Sequence, residues 1–271
     1  MDPSTLRHDG LSVVGSGAAH HHVFFVHADS GVHRLAPECK LVATVLFVFA
    51  VVATPREAIW AFALDAAILV GIALIGRVPL GKLARRLVIE VPFLAFAVFL
   101  PLVGHAPYLQ VGFLTLSEPG LWGAWNIVVK GTLGVAATSL LTATTTVAEL
   151  LLALERLRVP RAVVGIAGFM VRYWQVLADD LRRMRIARIS RGDDPRWLWQ
   201  VAGIARTAGA LFVRSYERGE RVYVAMLARG YGFGPEPADT AARAPRRSWL
   251  AALTAPVAAG LICGVALAGA R

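Results

Sequence analysis

From residue 87 to residue 125 the chain contains neither lysine nor arginine, and its uncharged runs there are built largely from Val, Leu, Phe and Ala. A helix of about 20 such residues spans the hydrocarbon core of a bilayer, so runs of this kind limit the fold severely. Hydrophobic residues make up 56% of the 271 and charged residues only 17%, too apolar for an ordinary soluble domain. The sequence therefore predicts an all-α, polytopic membrane protein with about five transmembrane helices. Leu41 to Ala53, with Leu35 to Lys40 as its interfacial turn, pairs across Thr54-Pro55-Arg56-Glu57 with Ala58 to Gly76. A third span runs from Val88 to Val103, interrupted only by Glu90. After a loop between His105 and Pro119, Leu121 to Thr142 forms the fourth. Trp249 to Ala268 is the last, anchored by Trp249 and the Arg246-Arg247 pair. The expected organisation is a tail over 1–34, four spans within 35–143, a cytoplasmic helical module over 144–235, a linker over 236–247 and a final span within 248–271.

The net charge of +10 is unevenly placed, with most of the arginines between Arg156 and Arg247. In an apolar chain such asymmetry reads as the positive-inside rule, not as affinity for nucleic acid. With a cytoplasmic N-terminus, the basic loop holding Arg77, Lys82, Arg85 and Arg86 and the whole 144–247 region fall inside. Essentially Arg56 and Arg271 remain outside, and five spans place the C-terminus there too. No signal-peptide pattern precedes Lys40, so the first span is expected to stay in the mature chain.

One pattern is written twice within the module. Asp179-x-x-x-Arg183-x-x-x-Ala187-x-x-x-Arg191-Gly192 recurs thirty-eight positions later as Glu217-x-x-x-Arg221-x-x-x-Ala225-x-x-x-Arg229-Gly230. Steps of four keep these side chains on one slowly turning helical stripe and predict ion pairs Asp179 with Arg183 and Glu217 with Arg221, each adding about 0.2–0.5 kcal/mol. Each copy then stops at Arg-Gly: the glycine accepts the left-handed conformation that ends a helix, and the arginine complements the negative end of the dipole. Ion pairs alone would account for two solvated helices but not for the shared ending. Two like cationic tips point to two like acceptors, because a guanidinium fork suits a carboxylate. Around the repeat, residues 147 to 159 read as a short amphipathic helix and Pro160 opens a long helix reaching Arg191. Asp193-Asp194-Pro195 starts the next, which passes Trp197 and Trp199 and ends at Gly230.

Ser190-Arg191-Gly192 and Ala228-Arg229-Gly230 resemble the paired X-Arg-Gly motifs of the transmembrane T component of energy-coupling-factor transporters. His33-Arg34-Leu35-x-Pro37-x-x-Lys40-Leu41, Arg172-Tyr173 and, above all, Arg214-Ser215-Tyr216-Glu217-Arg218 through Val222-Tyr223 to Tyr231 are similar to the cobalt-type T components, the CbiQ family. The likeness covers nearly all of residues 30–235, with Ser190 standing where alanine is frequent. It implies a scaffold of the cell membrane with no catalytic residues, no cofactor and no metal site of its own. Two coupling helices would insert Ser190, Arg191, Gly192 and Ala228, Arg229, Gly230 into grooves on two ATP-binding ATPase subunits, supported by Asp179, Arg183, Glu217 and Arg221. The membrane part, set in lipid, would hold a substrate-binding S component, CbiM-like, with or without a CbiN-like subunit. Uptake of a divalent transition metal, cobalt first and nickel or another substrate as the alternative, is the activity implied.

The remaining residues suggest less. Cys39 and Cys263 are too far apart in sequence to suggest a zinc or disulfide motif. His20-His21-His22, His27 and His33 suit metal capture chemically, but their spacing fits no defined element and reads as a solvated tail. Lys130 lies inside the fourth span, where an exposed lysine costs about 2.5–3.5 kcal/mol, so it must snorkel, face protein or mark a displaced boundary. Gly131, Gly134, Ala137, Thr138 and Ser139 form a small-residue face that permits close helix approach. A membrane-embedded enzyme would need a carboxylate pair or a nucleophile with its base, whereas Asp65 and Glu90 stand apart and no Walker-type loop occurs.

Overall fold

A computed structural model describes residues 31–103, 108–111, 114–192, 201–231 and 244–269. The histidines before residue 31, the Asp193-Asp194-Pro195 turn with Trp197 and Trp199, and the 236–243 part of the linker lie outside the described residues. The chain divides into two compact units, Met1–Ala153 with Ala244–Arg271, and Leu154–Arg243.

The first unit is the apolar one. It contains α1 (Pro37–Ala53), α2 (Ile59–Ile75), α3 (Leu80–Arg86), a 3-10 turn (Leu87–Glu90), α4 (Val91–Val103), α5 (Glu118–Thr144), the greater part of α6 (Val147–Arg156) and α9 (Arg246–Gly269). Helices α1, α2, α4, α5 and α9 stand where the five spans are expected; α5 and α9 are long and apolar enough to cross a membrane, and α2 and α4 are shorter apolar helices. Helix α1 packs on α5 and α9, and α4 packs on α5. The core between them is made by Phe47 and Val51, Phe62 and Leu69, Leu133, Ala137 and Leu140, and Ala259. Large apolar side chains also face outward, among them Phe93, Phe96 and Phe99 of α4 and Leu250 and Leu261 of α9. A surface of that kind suits lipid, in which helices satisfy their backbone internally.

Local chemistry moves several boundaries. Helix α1 begins at Pro37, so Lys40 sits in its first turn and is buried, not in an interfacial turn. Helix α5 begins at Glu118 because the Ser117 hydroxyl accepts from the Gly120 amide at 3.3 Å and Pro119 stands in the first turn. The start of α6 is a capping box: Glu149 Oε2 accepts from the Thr146 amide at 2.7 Å, and Thr146 Oγ1 accepts from the Glu149 amide at 3.3 Å. The expected loop before α5 contains an antiparallel pair, β1 (Tyr108–Val111) and β2 (Leu114–Ser117), with Tyr108 opposite Ser117 and Val111 opposite Leu114. Among the described residues this hairpin is the exception to an otherwise all-α fold, and the short alternation Leu114-Thr115-Leu116-Ser117 is its sequence signal.

Two lysines tie α1 and α5 together at opposite ends. Lys40 Nζ donates to the Thr144 carbonyl at 2.9 Å and the His33 carbonyl at 3.2 Å, while Lys130 Nζ donates to the Val52 carbonyl at 2.7 Å. The two helices are therefore antiparallel, and each lysine reaches the last turn of the other helix, where carbonyls lack intrahelical donors and the dipole is negative. Lys130 thus faces protein. Arg86 reinforces the end of α5 by donating to the Ser139 carbonyl at 2.8 Å and Thr142 Oγ1 at 2.7 Å.

Among the described glycines, the tightest contact is not in the 131–139 face. A Cβ at Gly120 would stand 2.5 Å from the Leu100 carbonyl oxygen and 2.8 Å from Pro101 Cα, whereas one at Gly134 would meet nothing within 4 Å. Proline at position 101 brings no amide of its own to that turn, and glycine at 120 lets the two backbones meet. Glu90 is buried and accepts from Thr132 Oγ1 at 2.9 Å.

Candidate functional site

The second unit consists, among the described residues, mainly of α7 (Arg161–Ser190), with Pro160 at its N-cap, and α8 (Val201–Ala228). Asp180 of α7 bonds Arg218 of α8 at 2.8 Å, and Arg188 of α7 donates to Thr207 of α8 at 3.2 Å. Numbers rising along one helix meet numbers falling along the other, so the helices run antiparallel.

Asp180 and Arg218 occupy the same position in the two copies of the repeat, thirty-eight residues apart. An antiparallel pair joined at equivalent positions relates its copies by a local two-fold axis near that bridge. Each Arg-Gly ending lies eleven residues past the bridge, in opposite directions. At 1.5 Å per residue each tip is about 17 Å from the bridge, and the tips are about 33 Å apart along the pair. The two-fold is approximate in chemistry. The counterparts of Arg188 and Thr207 are Met226 and Phe169, which together with Tyr173 and Tyr223 line an apolar cavity of about 360 Å³.

The two tips are built alike. Gly192 and Gly230 have φ of +80° and +82°, the left-handed region in which glycine carries no Cβ penalty. The Gly230 amide donates to the Leu227 carbonyl at 2.9 Å and the Tyr231 amide to the Met226 carbonyl at 3.0 Å, the two bonds of a Schellman ending. The Gly192 amide repeats the first by donating to the Ile189 carbonyl at 3.0 Å. Ser190, Arg191, Gly192, Ala228, Arg229 and Gly230 are all exposed, and neither guanidinium has a bonding partner among the described residues. Ser190, where the copies differ, turns its hydroxyl back onto its own helix, donating to the Ile186 carbonyl at 2.7 Å.

The supporting ion pairs differ from expectation. Arg183 bonds Asp180, three residues before it, instead of Asp179. Asp180 lies on the side of α7 that meets α8, so its carboxylate gathers two guanidiniums, whereas Asp179 is exposed. Hydrogen bonds from Arg183 and then Arg218 hold the Asp180 carboxyl below the usual carboxylate range. Glu217 and Arg221 are exposed, with no ion pair between them among the described residues. Sequence reasoning thus missed Asp180, Arg218, Arg188 and Thr207, although the spacing shared by positions 180 and 218 was a readable signal.

No residue of α7 is buried, and Met170, Trp174, Phe212, Tyr216 and Val224 are largely exposed. An uncovered apolar surface of this extent calls for protein or lipid against it. Among the described residues no group of three His, Cys, Asp or Glu side chains is placed to hold a metal.

Residues 28–238 match the family model CbiQ, described as a cobalt transport protein. The chain is 29% identical over 226 residues to the energy-coupling factor transporter transmembrane protein EcfT of Bacillus selenitireducens, covering 78% of this chain and 83% of that one. It is likewise 29% identical over 224 residues to EcfT of Bacillus subtilis, covering 78% and 84%. A shorter match, 30% over 106 residues, covering 39% of this chain and 18% of the relative, is to a putative fused cobalt transport protein CbiMQ of Methanocorpusculum labreanum. The paired Arg-Gly helix ends, the apolar helices and a match across most of the chain lead to one assignment: this protein belongs to the CbiQ family of energy-coupling-factor transmembrane (T) components.

Proposed function

We propose that this chain is the non-catalytic scaffold through which ATP hydrolysis in two partner ATPase subunits drives uptake of a divalent transition metal, with cobalt as the substrate. The observation that carries the reading is the pair of exposed Arg-Gly tips set eleven residues either side of the Asp180–Arg218 bridge. Two acceptors related by a two-fold axis match two tips so related, and each arginine offers a planar fork to an acidic groove. Residues 144–235 form the coupling module on the cytoplasmic side. Closure of the ATPase pair moves the tips, and the movement reaches an S component held against the membrane helices. The family description and the relative whose printed name joins CbiM to CbiQ support the choice of cobalt and of a CbiM-like S component. The N-terminus is cytoplasmic and the chain multi-pass in the cell membrane.

The test is the double variant Arg191→Ala/Arg229→Ala, co-expressed with its neighbouring subunits. Removing one side of a buried charge pair typically costs about 2–5 kcal/mol, so ATPase recovery with the complex and labelled cobalt uptake should both collapse. Full uptake with normal complex recovery would refute the coupling role; nickel uptake in place of cobalt would correct the substrate alone.

A further inference from the structure

A cavity of about 390 Å³ lies between α1, α2, α5 and α9, within the range of roughly 300–1,000 Å³ typical of ligand sites. Its walls run from Lys40 to Phe47 on α1, from Ile75 to Leu69 on α2, from Thr144 to Ala137 on α5 and from Ala251 to Pro256 on α9. Stretches of six to eight residues on each of four helices make it about 10 Å deep. Its lining is mostly apolar. The hydroxyls of Thr44, Thr144 and Thr254 are already spent, donating to carbonyls of their own helices at 2.8, 2.9 and 2.8 Å.

The exception is Lys40, which lines the cavity at 7% exposure. An ammonium has three N–H donors, and two are taken by the Thr144 and His33 carbonyls. Two carboxylates lie near this end: Glu38 accepts from the Ala244 amide at 3.1 Å, and Glu149, which caps α6, also attracts the Lys40 ammonium. Exposed Arg34, Arg77, Arg246 and Arg247 stand where α1 and α9 begin and α2 ends, at the same end of the bundle. Lys40 in the cavity wall and these four arginines at the same end of the bundle outnumber Glu38 and Glu149, and a cationic end with an apolar depth matches one amphiphile: a phosphate head with a hydrocarbon tail. Basic pockets between membrane helices on the cytoplasmic side attract such heads.

We propose that this cavity binds one acyl chain of an anionic phospholipid, with the phosphate held by Lys40 and the neighbouring arginines. The choice of leaflet rests on the proposed orientation, but binding itself does not. In the test, the full chain in mild detergent is incubated with equal amounts of phosphatidylglycerol and phosphatidylcholine, and retained lipid is counted by native mass spectrometry. One phosphatidylglycerol per chain should be retained in preference to phosphatidylcholine by about tenfold or more. Ala255→Phe, which fills the cavity, should abolish retention, and Arg34→Ala/Arg246→Ala/Arg247→Ala should erase the preference. Thermal unfolding verifies that both variants remain folded. Equal retention of the two lipids, or retention unchanged in either folded variant, overturns the proposal. Cobalt uptake by the same variants distinguishes this failure from failure of the coupling role, which leaves lipid retention untouched.

Discussion

Four described helix ends share one backbone solution, but only two of them use glycine for it. Gly192 and Gly230 take the left-handed position at the tips, whereas Arg77, with φ of 51°, and Arg158, with φ of 63°, take it after α2 and α6. In both arginine cases the following amide closes the motif, Val78 to the Ala73 carbonyl at 2.9 Å and Val159 to the Leu154 carbonyl at 3.1 Å. A side chain there costs about 1–2 kcal/mol that glycine avoids. Opposite signs are therefore expected in thermal unfolding of the detergent-solubilised chain. Gly230→Ala should lower stability by about 1 kcal/mol, and Arg158→Gly should raise it by up to about the same amount. A destabilised Arg158→Gly variant would show that the Arg158 side chain contributes more than its backbone strain costs.

The α7–α8 pair is governed by the Asp180 carboxylate, which receives Arg183 from its own helix and Arg218 from the other. Because the folded carboxyl titrates below its unfolded value, its contribution is present above the unfolded pKa of about 3.9 and is lost as pH falls through the lower folded value. The stability gap between the native chain and Asp180→Asn should thus be full at pH 7 and close on acidification below about pH 4. The symmetry of the repeat supplies a stricter check. In the exchange Asp180→Arg/Arg218→Asp, the new carboxylate at position 218 has Arg221 three residues on, just as Asp180 has Arg183. Uptake lost in either single variant should return substantially in the exchange; if it does not, the bridge is not what holds the helices in register.

For the whole molecule, the charge map predicts an orientation that can be tested directly. The expected arrangement has the N-terminus and the arginine-rich module inside and the C-terminus outside. Tags at the two ends of the full chain in intact cells should report opposite sides, the N-terminal one protected and the C-terminal one reachable from outside. Tags on the same side would require an even number of spans. The exposed apolar faces of α7 and α8 belong to this scale as well, since a helix pair that buries so little of itself is built for an assembly.

Length, hydropathy and charge by themselves determined the membrane class, the places of the five apolar helices and the two Arg-Gly endings, because these are set by local periodicity and by residues with special backbone preferences. Spacing in the chain did not determine which side chains meet. The choice of Asp180 over Asp179, the Lys130 bond to Val52 and the contact of Gly120 with Leu100 depend on which helix lies alongside and in what direction. A carboxylate or an ammonium goes where a second partner and a shielded position coincide, and only tertiary packing creates such places.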